Sequence, residues 1–328
     1  MEPFSVVYTD NSKGGLDIER KILEEINVEL VDAEQSKRPV KDLIRNADGI
    51  IVSQMEFSRE IIESLEKCRI ISRTGIGFEN VDLKAATENG IYVSNVPDYC
   101  IPEVSDHAIG LILSLERRIA SFDRDLRKEG WKVARAKWAD MRRIEGQTIG
   151  FVAFGQIPKE VCRKAIALGF GAIAYDPYIE PEEIIKSGAR CVENLDALLK
   201  ESDVVSLHVP LTDETKGMIG KEELELIGEN GFIINTSRGG IIDEESLVWA
   251  IETGKIAGAG LDVYADEPFQ MDNPLVNIEK VVLTPHVAFK SIESELKQRE
   301  IVAQNIRAVL EGKDPINIVN REIFSLEG

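Results

Sequence analysis

Ile149-Gly150-Phe151-Val152-Ala153-Phe154-Gly155-Gln156-Ile157-Pro158 decides how this 328-residue chain is read. The apolar run Thr148–Ala153 has strand character, and Lys159–Leu168 carries a helical pattern. A turn between such a strand and helix is where a G-x-G-x-x-G phosphate-binding fingerprint stands. Here it reads A-x-G-x-x-P, so two of the three glycines are replaced. Gly155 keeps the task of letting backbone approach a pyrophosphate. Ala153 can serve if its φ is negative. Pro158 falls in the first helical turn, where the missing N–H would be unpaired anyway. The same spacing also describes an ordinary βα turn. Asp176 adds a second signal: it closes the next strand, in Ala174-Tyr175-Asp176-Pro177, 21 positions after Gly155. An acidic residue there hydrogen-bonds the diol of an adenosine ribose and repels a 2′-phosphate, which points to NAD rather than NADP. A strand-end Asp can also cap a turn before a proline.

Outward from this turn the chain alternates strands and helices. Downstream strands are expected at Ala172–Tyr175, Val204–His208, Gly231–Asn235, Ala257–Asp262 and Val281–Leu283, with helices such as Leu195–Lys200, Lys221–Leu226 and Glu244–Glu252 between them. Six strands suit a full dinucleotide-binding sheet. Upstream, strands are expected at Phe4–Thr9, Val28–Val31, Gly49–Ser53, Arg69–Ser72 and Ile91–Ser94. Such alternation predicts an α/β protein with two doubly wound parallel sheets. The apolar-periodic stretch Pro102–Arg118 exceeds an ordinary crossover and is expected to bridge the domains, bury a dimer seam, or do both. A last long helix is expected at about Ser291–Leu310.

Net charge is −19, from 39 basic and 58 acidic side chains, which argues against nucleic acid and anionic membranes as partners. Cys68, Cys100, Cys162 and Cys191 show no C-x-x-C spacing and read as reduced thiols of a cytoplasmic protein. The start of the chain shows no signal-peptide pattern, and no apolar run approaches the ~20 residues of a membrane span. Trp131 and Trp138 lie in a basic stretch ending at Arg143, which suits a binding patch or, in a chain this acidic, rather a packed connector.

Three residues follow strand-like runs: Arg238 in N-T-S-R-G-G, Glu267 in D-V-Y-A-D-E-P and His286 in L-T-P-H. Residues just past the strands of a parallel sheet converge on one crevice. A cation, a carboxylate and an imidazole there can bind a 2-oxo acid and exchange a proton with its carbonyl oxygen. Taken singly, each has a plainer reading: an ion-pair arginine, a loop carboxylate, a structural histidine. His107 reads as a packing or interface residue, and His208 as a strand-end residue that hydrogen-bonds backbone.

At this point the chain resembles the D-isomer-specific 2-hydroxyacid dehydrogenases over nearly its whole length. The motifs are Ser72-Arg73-Thr74-Gly75-Ile76-Gly77 with Asn80-Val81-Asp82, then Asn235-Thr236-Ser237-Arg238-Gly239-Gly240, Gly260-Leu261-Asp262-Val263, Glu267-Pro268 and Thr284-Pro285-His286. Asn95-Val96-Pro97-Asp98-Tyr99-Cys100 and Asn317-Ile318-Val319-Asn320 resemble the branch that holds phosphoglycerate dehydrogenase-like enzymes and C-terminal-binding proteins. The resemblance implies a discontinuous flavodoxin-like substrate domain, residues 1–98 and 291–328, with an inserted NAD-binding domain, residues 99–290. It implies a site in the cleft between them and a homodimer built on the cofactor domains. Arg238 would hold the carboxylate and carbonyl of a small 2-oxo acid, His286 would be the acid/base, and Glu267 would orient it. Arg73, Gly75, Ile76 and Gly77 would bind the substrate carboxylate. Gly155, Gln156, Ile157 and Asp176 would bind the cofactor, with Val209, Pro210, Thr215, Thr236, Ser237, Asp262 and Ile76 at its nicotinamide end. No metal is implied. The chain departs from the branch at Ala153 (usually glycine), Pro158 (glycine or alanine), Glu79 (aspartate) and Phe289 (often tryptophan).

The expected chemistry is hydride transfer between NAD and a small D-2-hydroxy acid or its 2-oxo acid. The alternative is an NAD-responsive binding protein of co-repressor type with little turnover. Formate dehydrogenases are disfavoured, since that group has glutamine where Glu267 stands.

Overall fold

The structure, a computed structural model, describes residues 2–11, 14–137 and 141–326, so Trp138 lies outside the described residues. The chain divides into two compact units, Met1–Tyr99 with Ser291–Gly328, and Cys100–Lys290.

The first unit is built on a five-stranded parallel sheet. Its strands are β1 (Phe4–Tyr8), β2 (Val28–Asp32), β3 (Gly49–Val52), β4 (Ile70–Arg73) and β5 (Tyr92–Ser94), in the order β2-β1-β3-β4-β5. These runs are rich in Val and Ile, and β3 is buried along its whole length, as a strand covered on both faces requires. The strand order reverses between β1 and β3, which makes their carboxyl ends the switch point of this sheet. The helix Ile292–Leu310 covers β3 and β4. It starts at Ser291, whose Oγ accepts from Ser294 N at 2.8 Å. Its Arg299 forms a two-pronged pair with the buried Glu19, at 2.8 and 2.6 Å.

The second unit carries seven parallel strands: β6 (Thr148–Val152), β7 (Gly171–Tyr175), β8 (Arg190–Cys191), β9 (Val204–Leu207), β10 (Phe232–Asn235), β11 (Gly258–Leu261) and β12 (Val281–Leu283). Their order is β12-β11-β10-β9-β6-β7-β8. The six expected strands are present, but β8 was not foreseen. It completes the dinucleotide-binding order, and β12 is a seventh strand added at the far edge. Two residues leave no periodicity to read. The helix Ile101–Glu116 belongs wholly to this unit and packs on β10, β11 and β12, burying Val104, Ala108, Leu111, Ile112 and Leu115. The switch point lies between β6 and β9, so the loops after these strands face the position where such sheets bind ligands.

Trp131 is 68% exposed, which corrects the packed-connector reading. No helix among the described residues is long and apolar enough to cross a membrane.

Candidate active site

The turn after β6 is shaped by two residues. Ala153 has φ +71°, so the negative φ on which its replacing glycine without strain depends is not met. The glycine usual in the family branch would meet that angle without strain, whereas alanine costs on the order of 1 kcal/mol there. Gly155 ends the turn as the N-cap of the helix Gln156–Ala167. A Cβ built on Gly155 meets nothing within 4 Å, so the space its missing side chain leaves is open. The first-turn N–H groups of such a helix have no partner within it and attract anions. Pro158 sits in that first turn, buried, as expected.

Asp176 follows β7 and binds back to this turn. Its Oδ2 accepts from Phe154 N at 2.8 Å and its Oδ1 from Tyr178 N at 2.9 Å. The carboxylate thus caps a turn, as one of its two readings held. Each oxygen keeps a further lone pair for a ribose hydroxyl.

The loops after β9 and β10 lie beside it. Thr215 Oγ1 donates to Pro210 O at 2.6 Å and accepts from Thr212 N at 2.8 Å, which fixes the Val209–Thr215 loop. Thr236 Oγ1 is buried and has no hydrogen-bond partner among the described residues. Together with the open space at Gly155, this orphaned hydroxyl is what a polar cofactor would satisfy. Buried Asn235, which the sequence reading passed over, organises the loop. Its Oδ1 accepts from Ser237 N and Oγ at 3.0 and 2.9 Å, and its Nδ2 donates to Arg238 O at 2.9 Å. At Gly239 any side chain would strike the Tyr264 carbonyl, so the chain carrying Arg238 runs hard against the loop that leads to Glu267.

Glu267 and His286 meet. Glu267 Oε2 lies 2.6 Å from His286 Nδ1, and Oε1 accepts from Tyr264 N at 3.1 Å. Their side chains are 34% and 38% exposed, so the pair is open to solvent on one side. Burial acts to raise the Glu267 carboxyl pKa. The His286 hydrogen bond and charge, the Tyr264 N–H and the Arg238 charge outweigh it and leave the carboxyl below its ordinary value. The electrostatic effect of Arg238 on Glu267 links all three strand-end residues. Nδ1 of His286 is engaged by Glu267, which leaves Nε2 available for another partner. Phe289 meets the His286 ring edge-on at 6.0 Å.

His286 itself has φ +53°, a left-handed backbone that a residue with a Cβ holds only when its surroundings impose it. Asp262, wholly buried, supplies that constraint. Its main-chain O accepts from His286 N at 2.8 Å, and its carboxylate accepts from Val287 N, Ala288 N and Thr284 Oγ1 at 3.0, 2.8 and 2.6 Å. His208 is pushed down to about 3 by burial, stacks near Phe151 and pairs with Ser206 Oγ at 2.8 Å, a side-chain rather than backbone partner.

In the first unit, Arg73 ends β4 and Gly75, Ile76 and Gly77 follow it. Asn95 Nδ2 donates to Ile76 O at 2.7 Å and Val96 N to Gly75 O at 3.0 Å. The N–H groups of residues 75–77 find no acceptor among the described residues. Asp10, unnoticed in the sequence, accepts from Ser53 N and Met55 N at 2.8 Å each and from Gln54 N, and so closes the switch point of this sheet. Asp125, Glu129 and Glu279 form an acidic cluster, but Lys137 Nζ sits 3.1, 3.6 and 3.9 Å from them and neutralises it.

Comparison with known proteins identifies the family. Residues 109–288 match the family model of the D-isomer specific 2-hydroxyacid dehydrogenase NAD binding domain. A D-3-phosphoglycerate dehydrogenase of Methanocaldococcus jannaschii is 38% identical over 302 residues, which is 92% of this chain and 57% of that protein. The chain therefore spans little more than half of that relative. A glyoxylate reductase of Korarchaeum cryptofilum is 38% identical over 300 residues, 90% of this chain and 89% of the other. The solved glyoxylate reductase of Paecilomyes thermophila has a TM-score of 0.88 at 30% identity, covering 97% of this chain and 99% of that one. Motifs, sheet order and comparisons converge: the chain belongs to the D-isomer-specific 2-hydroxyacid dehydrogenases.

Proposed function

We propose that this protein interconverts a small 2-oxo acid and its D-2-hydroxy acid with NAD(H), using His286 as the acid/base. The observation that carries the reading is the 2.6 Å pair of Glu267 and His286, with the Arg238 charge acting on the same carboxylate. Bound NADH supplies a hydride to the substrate carbonyl carbon. His286 Nε2 holds the proton that passes to the developing alkoxide. Glu267 fixes the imidazole through Nδ1. The Arg238 guanidinium offers a planar fork to the substrate carboxylate and carbonyl. In the first unit, Arg73 and the N–H groups of Gly75, Ile76 and Gly77 are assigned to carboxylate binding.

We assign the cofactor phosphates to Gly155, Gln156 and Ile157, and the adenosine ribose to Asp176. Asp176 supports NAD over NADP by charge repulsion. Val209, Pro210, Thr215, Thr236 and Ser237 are assigned to the nicotinamide end, where the orphaned Thr236 hydroxyl supports the placement. A homodimer is the proposed assembly. Its support is the run of exposed apolar residues Ile119, Leu126, Trp131 and Val133 on two successive helices, a surface that sedimentation would test.

The experiment is a screen of NADH and NADPH oxidation with glyoxylate, hydroxypyruvate, pyruvate and branched 2-oxo acids. Turnover with NADH on any of them is expected, with kcat/KM for NADPH clearly lower. Equal use of both cofactors would remove Asp176 from the ribose. NADH binding without turnover on any acid would favour the NAD-responsive scaffold.

A further inference from the structure

His286 does not hold its backbone unaided. Its left-handed φ of +53° is imposed by Asp262, which is fully buried and receives four donors from residues 284–288. No lysine or arginine pairs with that carboxylate among the described residues. His107, on the helix Ile101–Glu116, lies close to it, with Nε2 3.5 Å from Asp262 Oδ1 and 2.9 Å from Thr284 Oγ1.

The direction of this chain of hydrogen bonds follows from donor counting. The Asp262 carboxylate only accepts, and it already takes the N–H groups of Val287 and Ala288. Thr284 has a single hydroxyl hydrogen and stands 2.6 Å from Asp262 Oδ1, so it gives that hydrogen to the carboxylate. Thr284 Oγ1 must then accept from His107, which fixes the hydrogen of His107 on Nε2. Donation runs from His107 to Thr284 to Asp262, and the same carboxylate accepts from the N–H groups of Val287 and Ala288, the two residues after His286. A second tie acts on the same turn: Tyr264 OH donates to Thr284 O at 2.8 Å.

We propose that His107 is a positioning residue for the reaction: through Thr284 and Asp262 it holds the strained turn that aims His286 at the substrate and at Glu267. The inference rests on His286 being the acid/base. His107 touches neither Glu267 nor His286 among the described residues, so its effect passes through the turn.

The test compares His107→Leu, His107→Gln, Thr284→Val and Thr284→Ser in the full chain. Leu removes the donor, whereas Gln places an amide N–H near the former Nε2. His107→Leu is expected to lower kcat ~10-fold or more, because displacement of a catalytic group by a fraction of an ångström is enough for such a loss. KM for the 2-oxo acid should stay within ~2-fold. His107→Gln and Thr284→Ser should return kcat to within ~3-fold of the unmodified protein, and His107→Leu with Thr284→Val should be no worse than the more damaging single change. A readout without turnover is the downfield proton resonance of His286 Nδ1 in its short bond to Glu267, assigned by its loss in Glu267→Gln. It should weaken in His107→Leu and persist in His107→Gln.

Unchanged kcat and an unchanged Nδ1 resonance in His107→Leu would overturn the proposal, as would additive losses in the double variant. If His107→Leu fails to fold, the Thr284 pair carries the same comparison. An unmodified protein that turns over no 2-oxo acid would refute the dehydrogenase reading, and the resonance alone would then decide whether His107 holds the turn.

Discussion

Glu267 is pulled in two directions: half-burial favours its neutral form, while His286, Arg238 and the Tyr264 N–H favour its charge, and the second set wins. A carboxyl lowered by folding stabilises the fold above its ordinary pKa of 4.5, and that contribution is lost as pH falls further. Glu267→Gln should lower kcat ~10-fold or more, because the charged acceptor that orients the imidazole through Nδ1 is lost. An unchanged kcat would break the link between the two residues. His286→Ala should lower turnover by ~10²-fold or more with NADH affinity little changed, as kinetics and a fluorescence titration would show. The meeting of Glu267 and His286 was legible in the sequence, because each follows an apolar run and strand ends converge. Asp262 as the anchor of the His286 turn was not. It meets Thr284 because Leu261 pairs with Leu283 across β11 and β12, a register written in no local pattern.

Among the elements, the β6 turn shows how one residue can be read correctly in place and wrongly in shape. Its position between strand and helix followed from composition, but the backbone angle of Ala153 depends on where Asp176 pulls the Phe154 N–H. Ala153→Gly should relieve that angle. The gain is about 0.5–1 kcal/mol after allowing for the greater freedom glycine has when unfolded. A urea-unfolding midpoint that rises with unchanged slope would show it, and a fall would mean that the Ala153 methyl contributes packing that outweighs its strain. β8 escaped the sequence reading for a simpler reason: two residues cannot alternate long enough to be recognised.

For the molecule as a whole, acid stability is set partly by His208. Burial lowers it from 6.5 to about 3, so the folded protein keeps it neutral where the unfolded chain binds a proton. The stability from that neutral state is full above 6.5 and is lost as pH falls from 6.5 toward 3, by up to ~1.4 kcal/mol per pH unit. Unfolding midpoints at pH 7 and pH 4.5 should therefore differ less in His208→Gln than in the unmodified protein; an equal fall would place the acid sensitivity elsewhere. The two-unit division was legible in the alternation pattern, and the contribution of both chain ends to the first unit came from the family resemblance. That division also sets an order for synthesis. A ribosome delivers residues 1–99 before the second unit, yet the helix Ile292–Leu310 that covers β3 and β4 is made after it, and with it Arg299, the partner of buried Glu19. The second unit is contiguous and is complete before that helix exists. The nascent first unit must wait, with β3 and β4 lacking that covering helix and a carboxylate unpaired, while 191 residues of its neighbour (100 to 290) pass through the tunnel. This interval is when the protein is most open to chaperones and to aggregation.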